Sequence, residues 1–151
     1  LISHSPHDPY FHELKGQMLF ENGRPRKALL AYQQASRLSP KVALIRADLG
    51  RVQLELNDPT LLKLAVTNLR FALNKEPRRA FIWRQLGIAY GKLNKMGKSA
   101  SALAEEALLR NRNSDAIRLA EKAKKTLPQG SPDWIRAEDI ISNANQKTRK
   151  H

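Results

Sequence analysis

Apolar residues recur every three or four positions along almost the whole chain, in blocks cut by proline, and hardly anywhere do they alternate strictly with polar ones. That period is helical. The eight prolines, Pro6, Pro9, Pro25, Pro40, Pro59, Pro77, Pro128 and Pro132, set the punctuation. Asp8-Pro9, Asp58-Pro59 and Ser131-Pro132 predict helix starts. In each, a side-chain oxygen can accept from orphan backbone N–H groups, while proline stands where no N–H is needed. Pro40, Pro77 and Pro128 predict stops, because proline disfavours the α conformation in the residue before it. The helices so predicted run over 9–21, 25–38, 42–56, 59–75, 79–93, 97–111, 114–127 and 132–147. Connections of only a few residues make successive helices antiparallel neighbours. The predicted fold is all-α.

A recurring spacing points to a stack of repeats rather than a closed bundle. Gly16 and Gly50 are 34 residues apart, and Gly50 and Gly87 are 37 apart, which places about three extra residues near Asn57-Asp58. A glycine inside a helix costs about 1 kcal/mol against alanine. Three of them near one period make sense if each lets the paired helix approach closely. After Gly87 the next equivalent position is Ala104, only 17 residues on, so the helix 97–111 serves as second member of one pair and first of the next.

The residues around these positions resemble the tetratricopeptide (TPR) family. Trp83-x2-Leu86-Gly87-x2-Tyr90 matches that family's first-helix signature. The second helices match as Ala28-x3-Tyr32-x2-Ala35-x4-Pro40, Ala65-x3-Leu69-x2-Ala72-x4-Pro77 and Ala116-x3-Ala120-x2-Ala123-x4-Pro128. His12 and Arg46 depart from the pattern at the tryptophan position, and Lys15 stands where leucine is usual. The resemblance implies a right-handed TPR superhelix, an α-α solenoid of about eight antiparallel helices. Residues 1–8 would be a linker, and 9–128 the repeats, as pairs 9–40, 43–77, 80–111 and a shared fourth 97–128. Residues 131–147 would form a capping helix and 148–151 a basic tail.

A narrower resemblance rests on other blocks. These are Asp8-Pro-Tyr-Phe-His-Glu-Leu-Lys-Gly-Gln17, Leu19-Phe-Glu-Asn-Gly23, Trp83-Arg-Gln-Leu-Gly-Ile-Ala-Tyr-Gly91, Ala102-Leu-Ala-Glu-Glu-Ala-Leu-Leu-Arg110 and Gly130-Ser-Pro-Asp-Trp-Ile-Arg-Ala-Glu-Asp139. They resemble the C-terminal TPR region of bacterial zinc metallopeptidases of the Ste-type HExxH family (peptidase family M-forty-eight). The resemblance implies a periplasmic parent concerned with outer-membrane protein quality control. Its zinc would lie in an upstream catalytic domain, and this region would dock substrates or assembly partners.

In TPR geometry the first helix of each pair lines a concave surface. The family's groove positions map to Tyr10, Glu13, Gln17, Phe20 and Glu21, then Leu44, Asp48, Arg51 and Glu55, then Phe81, Arg84, Gln85, Ile88 and Lys92. The expected partner contacts are Tyr10, Glu13, Gln17, Phe20, Asp48, Arg51, Phe81, Arg84, Gln85 and Lys92. Arginine and aromatic anchors commonly dominate interface energetics. The occupant would be a protein or peptide, including the parent's own protease domain or an outer-membrane assembly component. Glu13 and Asp48 would oppose the carboxylate of a chaperone C-terminus, so that ligand fits poorly.

Composition adds one competing reading. With 27 Lys+Arg against 14 Asp+Glu the chain carries +13, a surface that attracts polyanions and motivates a nucleic-acid-binding helical repeat as the alternative. Against it, the basic residues form no long block, and aromatic residues suited to base stacking make up only 6%. There is no cysteine, which removes disulfides and thiol chemistry. No apolar run approaches the roughly 20 residues of a membrane span. The chain opens on Leu1 without a signal segment, so it is expected to be a piece of a longer protein.

Catalytic constellations are not found in the sequence. The one His-Glu pair is His12-Glu13, and three residues beyond Glu13 stands Gly16 rather than the second histidine of an HExxH zinc site. His4, His7, Asp8 and His12 could gather loosely, but a polar segment explains them as well. The histidines, with His151, lie near the ends of the chain, away from any serine–carboxylate pair. No catalytic residue, metal ligand or cofactor is therefore expected in this chain.

Overall fold

The structure, a computed structural model, describes residues 7–149. His4 and His151 lie outside them. Eight helices make up the described residues: α1 (Pro9–Glu21), α2 (Pro25–Leu38), α3 (Ala43–Leu56), α4 (Pro59–Lys75), α5 (Ala80–Lys92), α6 (Met96–Leu109), α7 (Asn113–Thr126) and α8 (Pro132–Arg149). Every boundary falls within two residues of expectation. The expected tail at 148–151 is corrected at its start. Helix α8 runs on through Arg149, with the Thr148 hydroxyl donating to the Ala144 carbonyl at 2.9 Å.

The three proline-marked starts are capped by the side chains that precede them. Asp8 accepts from Tyr10 N at 2.9 Å, Asp58 from Thr60 N at 2.9 Å and Leu61 N at 3.2 Å, and Ser131 from Trp134 N at 3.3 Å. The turns ending α1, α3, α5 and α6 share one backbone device. Gly23, Asn57, Asn94 and Asn111 all have left-handed backbones, with φ of 72°, 58°, 61° and 61°. Each stands seven residues beyond Gly16, Gly50, Gly87 or Ala104. After three of them the next N–H reaches back to close the helix: Arg24 N to Leu19 O, Lys95 N to Tyr90 O and Arg112 N to Ala107 O, at 2.8–2.9 Å. Helix α6 thus ends in the manner of a first helix, as its double role requires.

The chain forms two compact units, Leu1–Pro77 and Arg78–His151. In the first, α1 packs on α2, α2 on α3 and α3 on α4. Gly16 faces the Tyr32 ring and Gly50 faces Leu69; a Cβ at either would meet these side chains at 2.8 and 2.9 Å. Ala28, Tyr32, Leu49 and Val52 form a core here, with Leu19, Phe20, Leu29 and Leu56 against it. Arg46, at the degenerate tryptophan position, organises a polar network. Its Nε donates to Asn68 Oδ1 at 2.7 Å and its Nη1 to the Pro40 carbonyl at 3.0 Å, and it stacks 4.1 Å above the Phe71 ring. Asn68 in turn donates to Gln53 Oε1 at 2.8 Å.

In the second unit α5 packs on α6, α6 on α7, and α8 on both α7 and α6. Gly87 faces Leu103, 2.7 Å from where a Cβ would lie, and the buried Ser99 hydroxyl donates to the Gly87 carbonyl at 2.7 Å. The core is built mostly from alanine: Ala100, Ala104, Ala107, Ala116, Ala120, Ala123, Ala137 and Ala144 surround Ile140. Small side chains let the helices approach closely, and Leu108, Ile117, Leu119, Leu127 and Ile141 close the edges. No helix among the described residues is long and apolar enough to cross a membrane.

Candidate functional site: charged faces of the first helices

In the first unit the expected groove residues of α1 and α3 converge. Arg51 lies 4.4 Å above the Phe20 ring and 4.0 Å from the Asp48 carboxylate. Gln17 donates to Glu21 at 3.1 Å. Glu13 and Asp48 both sense Tyr32, which projects from α2 into the same place. Burial pushes the Tyr32 hydroxyl up to about 12, reinforced by the negative Asp48 and opposed by Arg51. Burial also pushes Asp48 up to about 6; Arg51 opposes the rise and the like charge of Glu13 adds to it. Glu13 is raised by burial as well. Two carboxylates and one guanidinium are thus held partly out of water on one face. Tyr10, in the first turn of α1, is 70% exposed.

Of Phe81, Arg84, Gln85 and Lys92 in the second unit, Arg84 is drawn into an ion-pair set on α6, 3.8 Å from Glu106, while Phe81 stays 47% exposed. Glu106 is buried, although the equivalent position elsewhere holds Ala35, Ala72 or Ala123. Its charge is met by Arg84 and, at 3.0 Å, by Arg110 Nε. One residue earlier, Glu105 accepts from Arg136 Nη1 of α8 at 3.3 Å, and Arg136 lies 5.2 Å over the Trp83 ring. Burial raises the Glu105 carboxyl; Arg136 opposes this and Asp139 adds to it. Open clefts run between α6 and α8 beside these charges.

Glu105, Glu106, Arg136 and Asp139 are the polar residues that sequence reasoning missed here. A signal was present: Glu105 follows Ala104 as Gln17 follows Gly16 and Arg51 follows Gly50. The shared helix α6 thus carries a groove face as well as a packing role.

Among the described residues no group of three or more His, Cys, Asp or Glu side chains could hold an ion. Of the loose N-terminal set, Asp8 is engaged as the α1 cap, and His4 is outside the described residues.

No family model and no curated protein matches the chain. Among solved structures it is similar to the crystal structure of MamA, a TPR-like helical repeat protein. The TM-score is 0.67 at 17% identity, over 97% of this chain and 81% of that one. A likeness at that identity speaks for architecture alone. With the glycine contacts and the repeated turns, it establishes a TPR-type, all-α helical repeat fold.

Proposed function

We propose that this chain is a protein-docking module, and more narrowly the substrate- or partner-docking C-terminal region of a periplasmic zinc metalloendopeptidase that serves outer-membrane protein quality control. The observation that carries the docking role is the face formed by Glu13, Phe20, Asp48 and Arg51, with Tyr10 exposed beside it. Charges already partly desolvated lose less hydration when a partner covers them, and an arginine laid on an aromatic ring is pre-ordered for contact. The narrower reading is supported by the sequence blocks that resemble that family's C-terminal region. The chain itself is non-catalytic in this reading, and zinc chemistry belongs to the parent's upstream domain.

Two experiments test it. The coding sequence preceding Leu1 is expected to hold an HExxH domain behind a secretory signal; a cytoplasmic or nucleic-acid-associated neighbour would overturn the protease parent. Photocrosslinking from p-benzoylphenylalanine placed at Tyr10 in the full-length protein is expected to trap a protein partner. A yield no greater than from Lys63, on an exposed face of α4, would overturn docking at this face.

A further inference from the structure

Helix α8 is more than an end piece. Glu138 stands 34 residues beyond Ala104, and Trp134 precedes it by four, as Trp83 precedes Gly87. By that register α8 is a first-type helix, and its groove offsets fall on Ile135, Arg136, Asp139 and Asn143. On α6, the offsets at which Gln17, Phe20 and Glu21 follow Gly16 give Glu105, Leu108 and Leu109 after Ala104. Those residues line two adjoining clefts, of about 350 and 420 Å³, which share Leu108 and Asn143. The register derived from the glycines and the cavities found in the fold select the same face independently.

The groove has two electrically different ends. At one, Glu105 and Asp139 accompany Arg136, whose guanidinium is already held by Glu105 and Trp83. One negative charge is therefore left over, on Asp139. At the other end Arg78 and Lys147 line the cleft with Leu109, Gln146 and the shared Leu108 and Asn143, and no carboxylate. Between the ends, Leu108 and the 48% exposed Ile135 offer apolar surface. Asn143 offers a side-chain donor and acceptor that match a peptide group.

We infer that the α6–α8 groove of the second unit docks an extended peptide segment of mixed charge, a deeper statement that rests on the docking role proposed above. A basic side chain of the segment meets Asp139, an apolar one covers Leu108 and Ile135, and an acidic one meets Arg78 and Lys147. Asp139 and Lys147 are eight residues apart on α8, about 12 Å along the helix axis. An extended strand advances about 3.3 Å per residue, so the two charges of the ligand lie three or four residues apart. A single-stranded nucleic acid fits less well, because its uniform negative backbone would pass Glu105 and Asp139.

The test uses fluorescent, end-blocked peptides on the whole chain. The first is Gly-Arg-Ala-Leu-Ala-Glu-Gly; a second carries Gln at both charged positions, a third Glu at both, and the fourth probe is an oligothymidylate. The mixed-charge peptide should bind about tenfold more tightly than either control peptide, and Asp139→Lys or Lys147→Glu should each remove about tenfold. Asp139→Lys should gain affinity for the peptide with two Glu residues, a change that a folding defect cannot produce. Equal binding of the three peptides, indifference to both variants, no peptide binding, or preference for the oligothymidylate would each overturn the assignment. Crosslinking from Tyr10 with no peptide binding would remove this groove and leave the docking role standing. Failure of both would remove the two together.

Discussion

The Tyr32 ring lies against Gly16 so closely that a Cβ built on the glycine would sit 2.8 Å from Cδ2 and Cε2. Substituting alanine should gain about 1 kcal/mol of helix propensity. Overpacking a filled contact costs about 1–3 kcal/mol, and the ring is buried and unable to swing to solvent. Gly16→Ala is therefore expected to lower stability by up to about 2 kcal/mol in urea titrations, the overpacking outweighing the propensity gain. Tyr32→Leu combined with it should couple favourably, recovering part of the loss. A more stable Gly16→Ala protein would show that the close approach is not a constraint.

Asp48 makes stability depend on pH. Its carboxyl titrates near 6 in the fold, against 3.8 in the open chain, so between these values the folded state holds more protons than the unfolded one. Stability therefore falls as pH rises from about 4 to 6, and the penalty is fully present above that. Its side chain is 33% exposed and faces Arg51, so solvent screening reduces the effect to about 1–2 kcal/mol. Asp48→Asn should thus stabilise at pH 7.5 by that amount and give no gain at pH 3.5. Chemical denaturation at the two pH values checks it, and a gain independent of pH would refute the assignment.

Glu106 and Ala35 occupy equivalent places with opposite surroundings. The Glu106 carboxylate is met by Arg84 and Arg110, whose own side chains reach solvent. Glu106→Ala leaves two arginines that water can take up, and it removes a buried charge, so the cost should stay below about 1 kcal/mol. Ala35→Glu would bury a carboxylate in the first unit, where the position equivalent to Arg84 is Glu13. A loss of about 3–5 kcal/mol is expected there, seen as a lowered thermal midpoint. Similar effects for the two changes would contradict the pairing.

Arg46 replaces an aromatic anchor with a set of hydrogen bonds. Arg46→Ala leaves Asn68 Oδ1 buried without its donor and uncovers Phe71, for a loss of about 2–3 kcal/mol. Arg46→Lys should recover little of this, because an ammonium cannot reach Asn68 and Pro40 while stacking on the ring. Full rescue by lysine, measured by denaturation, would reduce the role of Arg46 to charge alone.

Much of the fold was legible because its determinants are local. Asp8, Asp58 and Ser131 cap the helices they precede, and a cap acts within three residues. The left-handed Asn57, Asn94 and Asn111 are equally local, but asparagine, unlike glycine, does not announce a positive φ. The candidate site was half legible. Glu13, Phe20, Asp48 and Arg51 fall on one face by the register of α1 and α3 alone, whereas the α6–α8 groove exists only once α8 is packed against α6.

The sequence by itself determined eight helices, their order and the positions of close approach, because helical periodicity, capping and glycine spacing are properties of short stretches. Only the tertiary structure decided which charges meet. Arg46 finds Asn68 across 22 residues and Arg136 finds Glu105 across 31. Such contacts depend on how far one helix is turned and shifted against its neighbour, and side-chain packing fixes that only once the alanines and glycines have brought the helices together.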